Sequence, residues 1–229
     1  MYNFNVVMSS NPIYSSMIKH KGGTIVDSKS HWENIYTTKT PTQLSWYQDH
    51  LQISLKLIEQ TDIDKTAYII DVGGGASTLI DDLLDRGFVH VTVLDISSIA
   101  LKAAQTRLGS QANLVTWMEA DITQVILPHH SYDLWHDRAI FHFLTRTEDR
   151  QRYIETVKRS LKPHGHVIIG TFAPDGSPKC SGLDIVRYSP QSLHDEFGNE
   201  FDLIESASVV HVTPSGTKQK FIYCNFIKH

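Results

Sequence analysis

The stretch Ala67-Tyr68-Ile69-Ile70-Asp71-Val72-Gly73-Gly74-Gly75-Ala76-Ser77-Thr78 decides the fold. Its first half is a short apolar run, which reads as a strand buried on both faces. Three glycines then break the run. Glycine at such a turn admits a backbone approach that a Cβ would forbid. Ser77 can cap a following helix, in which Leu79, Ile80, Leu83 and Leu84 form an apolar stripe. Strand, tight turn and helix make the first unit of a parallel α/β sheet.

Downstream the unit repeats. His90 to Asp95 reads as a second strand and residues 97–108 as a second helix. Leu114 to Met118, Tyr132 to His136 and Val167 to Phe172 read as the third, fourth and fifth strands. A helix capped by Thr147 carries Tyr153, Ile154, Val157 and Leu161, and Pro163 and Gly165 stop it. The segments Phe201 to Val212 and Lys218 to Ile227 are joined only by Thr213-Pro214-Ser215-Gly216-Thr217. So short a link cannot be a parallel crossover, so these two form an antiparallel hairpin. Upstream, Thr40 and Pro41 open a helical pattern with Leu44, Tyr47, Leu51, Leu55 and Ile58 on one face. The expected organisation is a loose arm over residues 1–29 and one domain over 30–229. Within that domain, 30–60 is a helical cap and 66–229 the core.

The chain has 229 residues, 41% of them hydrophobic and 20% charged, which suits one ordinary globular domain. No apolar run is long enough to span a membrane, and the N-terminal segment lacks a secretory pattern. Cys180 and Cys224 make neither a disulfide framework nor a zinc set, so a cytoplasmic location is the default. His129-His130 and His164-x-His166 lack a third ligand at helpful spacing, and no metal is expected. With a net charge of -4 and scattered Lys and Arg, nucleic acid is not an expected partner.

Three acidic residues follow three predicted strands. Asp71 ends the first, Asp95 closes the second, and Asp121 follows the third in Glu119-Ala120-Asp121-Ile122. Carboxyl ends of strands at a topological switch point are where such sheets bind ligands, and Asp95 is spaced to accept from ribose hydroxyls. A dinucleotide fingerprint would need Gly at position 78, which is Thr. Taken singly, each Asp reads more readily as a helix cap or a solvated loop residue; together, each after a predicted strand, they favour a binding edge instead.

The turn Asp71-x-Gly73-x-Gly75, Asp95, Ala120-Asp121 and the closing hairpin resemble class I S-adenosylmethionine-dependent methyltransferases, over about residues 40–229. The chain departs from that pattern at Ser77, where the family often has a third glycine, and at Pro163-His164-Gly165. The resemblance implies a three-layer Rossmann-like sandwich with a seven-stranded sheet, order 3-2-1-4-5-7-6, strand 7 antiparallel. It implies S-adenosylmethionine as cofactor and S-adenosylhomocysteine as its product. Gly73 and Gly75 would let backbone approach the methionine part, Asp95 would hold the ribose, and Asp121 the adenine amine. Ile96 and Ile122 would sandwich the adenine, with Trp46, Asp71 and His136 completing the cofactor site. More narrowly, His31-Trp32-Glu33, Ser45-Trp46-Tyr47, Trp135 through Leu144 and Thr171 through Gly176 resemble a bacterial methyltransferase-domain subgroup. That subgroup is similar to both small-molecule and protein-lysine methyltransferases.

Chemistry in this family is usually assembled after the fourth strand, which nominates His136, Asp137, Arg138 and His142, the histidines as bases. The same residues also read as an Asp137–Arg138 ion pair and a packed His142. Cys180 has no nucleophile signature. The expected activity is methyl transfer to N, O or S of a small molecule, with protein lysine as the alternative acceptor. From another class, a non-catalytic S-adenosylmethionine-binding module or partner subunit shares every binding feature. Residues 1–60 and the 172–187 loop are expected to close the acceptor pocket.

Overall fold

Seven strands carry the architecture: β1 (Tyr68–Val72), β2 (His90–Asp95), β3 (Val115–Glu119), β4 (Tyr132–Arg138), β5 (Leu161–Phe172), β6 (Phe201–Val212) and β7 (Lys218–Lys228). They form one sheet in a computed structural model that describes residues 17–19 and 25–229. The order is 3-2-1-4-5-7-6, and β7 runs antiparallel to both of its neighbours. The other pairings are parallel. Among the described residues six α-helices flank the sheet: α1 (Ser28–Thr38), α2 (Gln52–Gln60), α3 (Leu79–Asp85), α4 (Ser98–Leu108), α5 (Thr147–Ser160) and α6 (Pro190–Phe197).

Alternation along each strand makes two cores. Ile69, Leu134 and Ile168 pack with Leu55, Ile58, Leu79, Leu83 and Leu101 of α2, α3 and α4. Their neighbours Ile70, Trp135 and Ile169 pack on the opposite face with Tyr153, Val157 and Phe197 of α5 and α6. Each such side chain, fully buried, contributes about 1.5–3 kcal/mol.

The helix expected from Thr40 is two pieces. Pro41–Gln43 is a single 3-10 turn, with the Thr40 N–H donating to Gln43 Oε1 at 3.0 Å, and α2 starts only at Gln52. Leu44, Leu51, Leu55 and Ile58 are buried as the pattern requires. The chain between the pieces is irregular because its carbonyls serve other elements: Ser45 O bonds His211, Trp46 O accepts from Arg138, and Gln48 O accepts from Thr78. Leu161 also departs from expectation. It belongs to β5, opposite Tyr132, and the strand bulges at His164 (φ 61°) before His166 pairs with Leu134.

Most of the expected arm over residues 1–29 lies outside the described residues. Within it, Met17–Lys19 pairs antiparallel with Ile25–Asp27, and Ser28 already opens α1. The Asp27 carboxylate accepts from the Ser30 N–H at 2.8 Å and caps that helix. The long segment after β5 folds back on itself, Lys179–Cys180 pairing antiparallel with Leu183–Asp184, and it lies beside Met17–Lys19. Among the described residues no helix is long and apolar enough to cross a membrane.

Candidate functional site

The parallel strands end together, and a cleft opens along their carboxyl edge with about 1290 Å³ of atom-free space, mouth included. Asp71, Gly73, Asp95, Ile96, Asp121 and Ile122 line it on the β1–β3 side. Trp46, His136 and Arg138 line it too. The structure thus brings together every residue that the resemblance nominated for the cofactor, Gly75 excepted.

The glycine turn is tighter than ligand approach alone requires. Gly73 has φ 70°, and a Cβ there would stand 2.0 Å from Ile140 Cγ1. A Cβ on Gly74 would meet Asp71 Oδ2 at 2.4 Å, and one on Gly75 would meet Asp95 Oδ2 at 2.5 Å. Gly74 and Gly75 therefore make room for the protein's own carboxylates, and Gly73 for Ile140. Gly75 acts behind the wall by letting Asp95 sit where it does.

Each carboxylate has its own environment. Asp95 is 6% exposed, and its Oδ1 accepts from the Ser97 N–H at 2.8 Å. Burial pushes its pKa up to about 7, with Asp71 and Glu33 adding repulsion. Asp121 accepts at Oδ1 from the Thr123 N–H and hydroxyl, at 2.9 and 2.8 Å. Asp71 Oδ1 accepts a hydrogen bond from His136 Nδ1 at 2.7 Å, while its Oδ2 is buried and has no hydrogen-bond partner among the described residues. The other ring nitrogen, His136 Nε2, is 2.8 Å from Ser54 Oγ of α2, which can donate to it. Asp71, His136 and Ser54 are all buried, so the imidazole is tied at both nitrogens inside the protein.

Two of the nominated residues do not reach the cleft. Asp137 is fully buried and accepts from the Ile140 and Phe141 N–H groups at 2.8 and 3.1 Å and from the Tyr153 hydroxyl at 2.7 Å. Tyr153 in turn accepts from Trp135 Nε1 at 2.8 Å. Burial raises the Asp137 carboxyl to about 6. It shapes the turn after β4, and it forms no ion pair with Arg138. His142 is fully buried against Phe143 and Phe172, its ring nitrogens have no partner among the described residues, and burial depresses its pKa to about 3.

Arg138 closes β4 and faces the cleft. Its Nε donates to Tyr223 Oη at 3.0 Å and its Nη1 to Trp46 O at 2.8 Å. A row across three strands makes this possible: Arg138 pairs with Gly170, and Gly170 with Tyr223. A Cβ on Gly170 would come within 2.7 Å of Tyr223 Cε1, so the bare strand lets that ring lie across it towards Arg138.

The sequence did not single out Tyr36, Gln219 or Phe221 for the cleft, and it gave Trp32 and Cys180 no role there. The spacing of Trp32 and Tyr36, four apart, is the signal that could have placed α1 against the cleft. Trp32, Tyr36, Trp46 and Phe143 form an edge-to-face aromatic wall with centroid separations of 5.0–6.2 Å. Glu33 accepts from the Ser98 N–H at 2.8 Å, and Lys29 pairs with Glu119, tying α1 to the ends of β2 and β3. Cys180 is buried and its thiol is pushed up to about 11. Among the described residues no group of three or more His, Cys, Asp or Glu could hold a metal ion.

A family model described as methyltransferase domain matches residues 70–169. Over that stretch, 100 of the 229 residues, the chain is similar to methyltransferase domains. Among relatives of this chain, the mouse (Mus musculus) eEF1A lysine and N-terminal methyltransferase is 24% identical over 141 residues, covering 62% of this chain. The match spans only 20% of that relative's length. The SAM-dependent methyltransferase from Anabaena variabilis shares the fold, with a TM-score of 0.68 at 13% identity, over 94% of this chain and 99% of that one. Burkholderia thailandensis 1,6-didemethyltoxoflavin-N1-methyltransferase, solved with its substrate and S-adenosylhomocysteine, gives a TM-score of 0.64 at 16% identity, over 88% and 84%.

Proposed function

We propose that residues 30–229 act as one methyltransferase domain that binds S-adenosylmethionine along the carboxyl ends of β1, β2 and β3. One observation carries this reading: three carboxylates, Asp71, Asp95 and Asp121, end or follow adjacent strands in a single cleft, with Ile96 and Ile122 beside them. Asp95 would accept from the ribose hydroxyls and Asp121 from the adenine amine, with the two isoleucines flanking the ring. Asp71, with one oxygen lacking a partner, suits the positively charged methionine part. When bound, the cofactor supplies a methyl group on a sulfonium, a good leaving group.

What the protein adds is position. In-line displacement needs the acceptor held close, aligned and dry, and the aromatic wall of α1 with Trp46 excludes water above the cleft. His136 stands at the cleft but is held at both nitrogens, and His142 faces the core, so neither is presented to an acceptor proton. We assign the acceptor to the small molecules. A protein lysine is the second reading, favoured by the aromatic rings that could surround a cation and by the activity for which the mouse relative is named. Two buried thiols without a disulfide suit a reducing compartment, and we place the reaction in the cytoplasm.

The test is calorimetry. S-adenosylhomocysteine should bind and NAD should not. Asp95→Ala should cost about 1–3 kcal/mol of that affinity, and an unchanged affinity in a folded variant would remove the ribose role. Release of S-adenosylhomocysteine during a screen of metabolite extracts with labelled donor separates an enzyme from a binding module.

A further inference from the structure

We propose that Arg138 anchors an anionic oxygen carried by the methyl acceptor, so that the acceptor is an apolar or aromatic small molecule bearing a carboxylate or a similar group, and not a lysine side chain. This deepens the methyltransferase reading and relies on it only for the name of the reaction.

Arg138 is the single Lys or Arg among the described residues that line the cleft. Its third nitrogen, Nη2, is buried and has no partner among them. The two nitrogens that are satisfied donate to Tyr223 Oη and Trp46 O, both neutral oxygens, so neither partner offsets the positive charge. None of the cleft's acidic groups bonds Arg138: Asp71 has His136 at one oxygen, Asp95 has the Ser97 N–H, Asp121 has Thr123, and Asp149 lies near Arg146 and Arg152. A guanidinium N–H withdrawn from water without an acceptor is costly, and an ionised oxygen relieves that cost best. Because two nitrogens are already fixed, the third loses little freedom when it bonds.

Position separates this group from the cofactor's half of the cleft. Asp121, Asp95 and Asp71 follow or lie on β3, β2 and β1, whereas Arg138 lies on β4, and Phe221 and Gln219 on β7 complete that side. Cys180 brings the loop after β5 to the same cleft. An acceptor seated there meets rings and one cation. A lysine ammonium would meet the rings too, but beside a fixed like charge, which disfavours it.

The experiment compares three probes of one shape on the protein loaded with S-adenosylhomocysteine: benzoate, benzamide and benzylamine, titrated by NMR into the millimolar range. Benzoate should bind about tenfold tighter than benzamide, the worth of one charge-assisted hydrogen bond over a neutral one, and benzylamine should be weakest. Arg138→Gln should erase the preference for benzoate while leaving S-adenosylhomocysteine affinity within about twofold, below half of one such bond. Arg138→Lys, which keeps the charge, should retain it and serves if the glutamine variant does not fold. Three results overturn the proposal: benzylamine binding as well as benzoate, a benzoate preference that survives Arg138→Gln, or no saturable binding of any probe. A fourth is a loss of S-adenosylhomocysteine affinity in Arg138→Gln with 5′-methylthioadenosine affinity unchanged, which gives Nη2 to the cofactor's own carboxylate. Wild-type protein that fails to bind S-adenosylhomocysteine refutes the cofactor reading instead, and the same probes on free protein still decide this one.

Discussion

Binding of the cofactor should release a proton, and Asp95 is the source. In the free protein, burial holds this carboxyl near pKa 7, so close to half of it is protonated at neutral pH. Ribose hydroxyls donate best to the ionised form, so the ligand stabilises the anion and lowers the pKa. For an acid whose pKa is raised in the free state, a ligand that prefers the anion binds more tightly as pH rises. With a free-state value of about 7 that the ligand lowers, affinity should increase by up to about tenfold from pH 6 to pH 8. At pH 7 roughly half a proton should leave per ligand bound. Titration calorimetry of S-adenosylhomocysteine in two buffers of different ionisation enthalpy reads that number directly. Asp95→Asn, which cannot ionise, should abolish the release and flatten the profile. Affinity that is constant over this range, or a release that persists in Asp95→Asn, refutes the assignment. The same burial bears on the empty protein. Its Asp95 contribution to stability is greatest below the ordinary carboxylate range and is lost as pH rises through 7, so Asp95→Asn should gain stability over wild type as pH increases.

Asp137→Ala strands two backbone N–H groups and the Tyr153 hydroxyl, so unfolding in urea should show a loss of about 3 kcal/mol or more; a loss of less than about 1 kcal/mol would mean the turn after β4 is held by other contacts. Ser54→Ala removes the partner of His136 Nε2 in the core and should cost about 1–3 kcal/mol of stability, read in the same titration, with the cleft otherwise intact. Gly75→Ala forces a Cβ to 2.5 Å from Asp95 Oδ2 at φ 30°, and should weaken S-adenosylhomocysteine binding by about tenfold or more, whereas normal affinity would show that Asp95 can move without penalty. Cys180, with a thiol near 11 and little exposure, should alkylate slowly with iodoacetamide at neutral pH, and rapid labelling would show that the loop after β5 opens freely.

The sheet was readable because its strands are continuous apolar runs that end in a carboxylate or a glycine, a signal carried by the local sequence. β2 and β6 were read to the residue. The α1 helix was not. Only Ser28 and His31 are buried along it, its apolar face is limited to the half-buried Trp32, Ile35 and Tyr36, and its place depends on Glu33 and Lys29 reaching distant partners. The irregular run from Leu44 to Leu51 misled for the opposite reason: its buried leucines fall at helical spacing, but its carbonyls are claimed by Arg138, Thr78 and His211 from other parts of the chain. In the site, the cleft carboxylates Asp71, Asp95 and Asp121 were legible because each lies at or just after the end of a strand. The place of Asp137 depends on Tyr153, on the far side of a turn, and the environment of Arg138 on Tyr223 at the other end of the chain. No local pattern carries such contacts.

The row Arg138, Gly170 and Tyr223 also sets a rule for anyone re-engineering what this protein accepts. Changing Arg138 alone to an apolar residue leaves the Tyr223 hydroxyl without its donor in the core, so part of the penalty appears two strands away. Adding a side chain at position 170 to fill space fails while the tyrosine ring lies over it. Substitutions at 138, 170 and 223 should therefore be strongly non-additive, and a library that randomises them one at a time samples mostly broken combinations. The productive moves are concerted: a smaller residue at 223, a side chain returned to 170 and a neutral one at 138. Together they would convert a wall that holds charge into one that holds only shape.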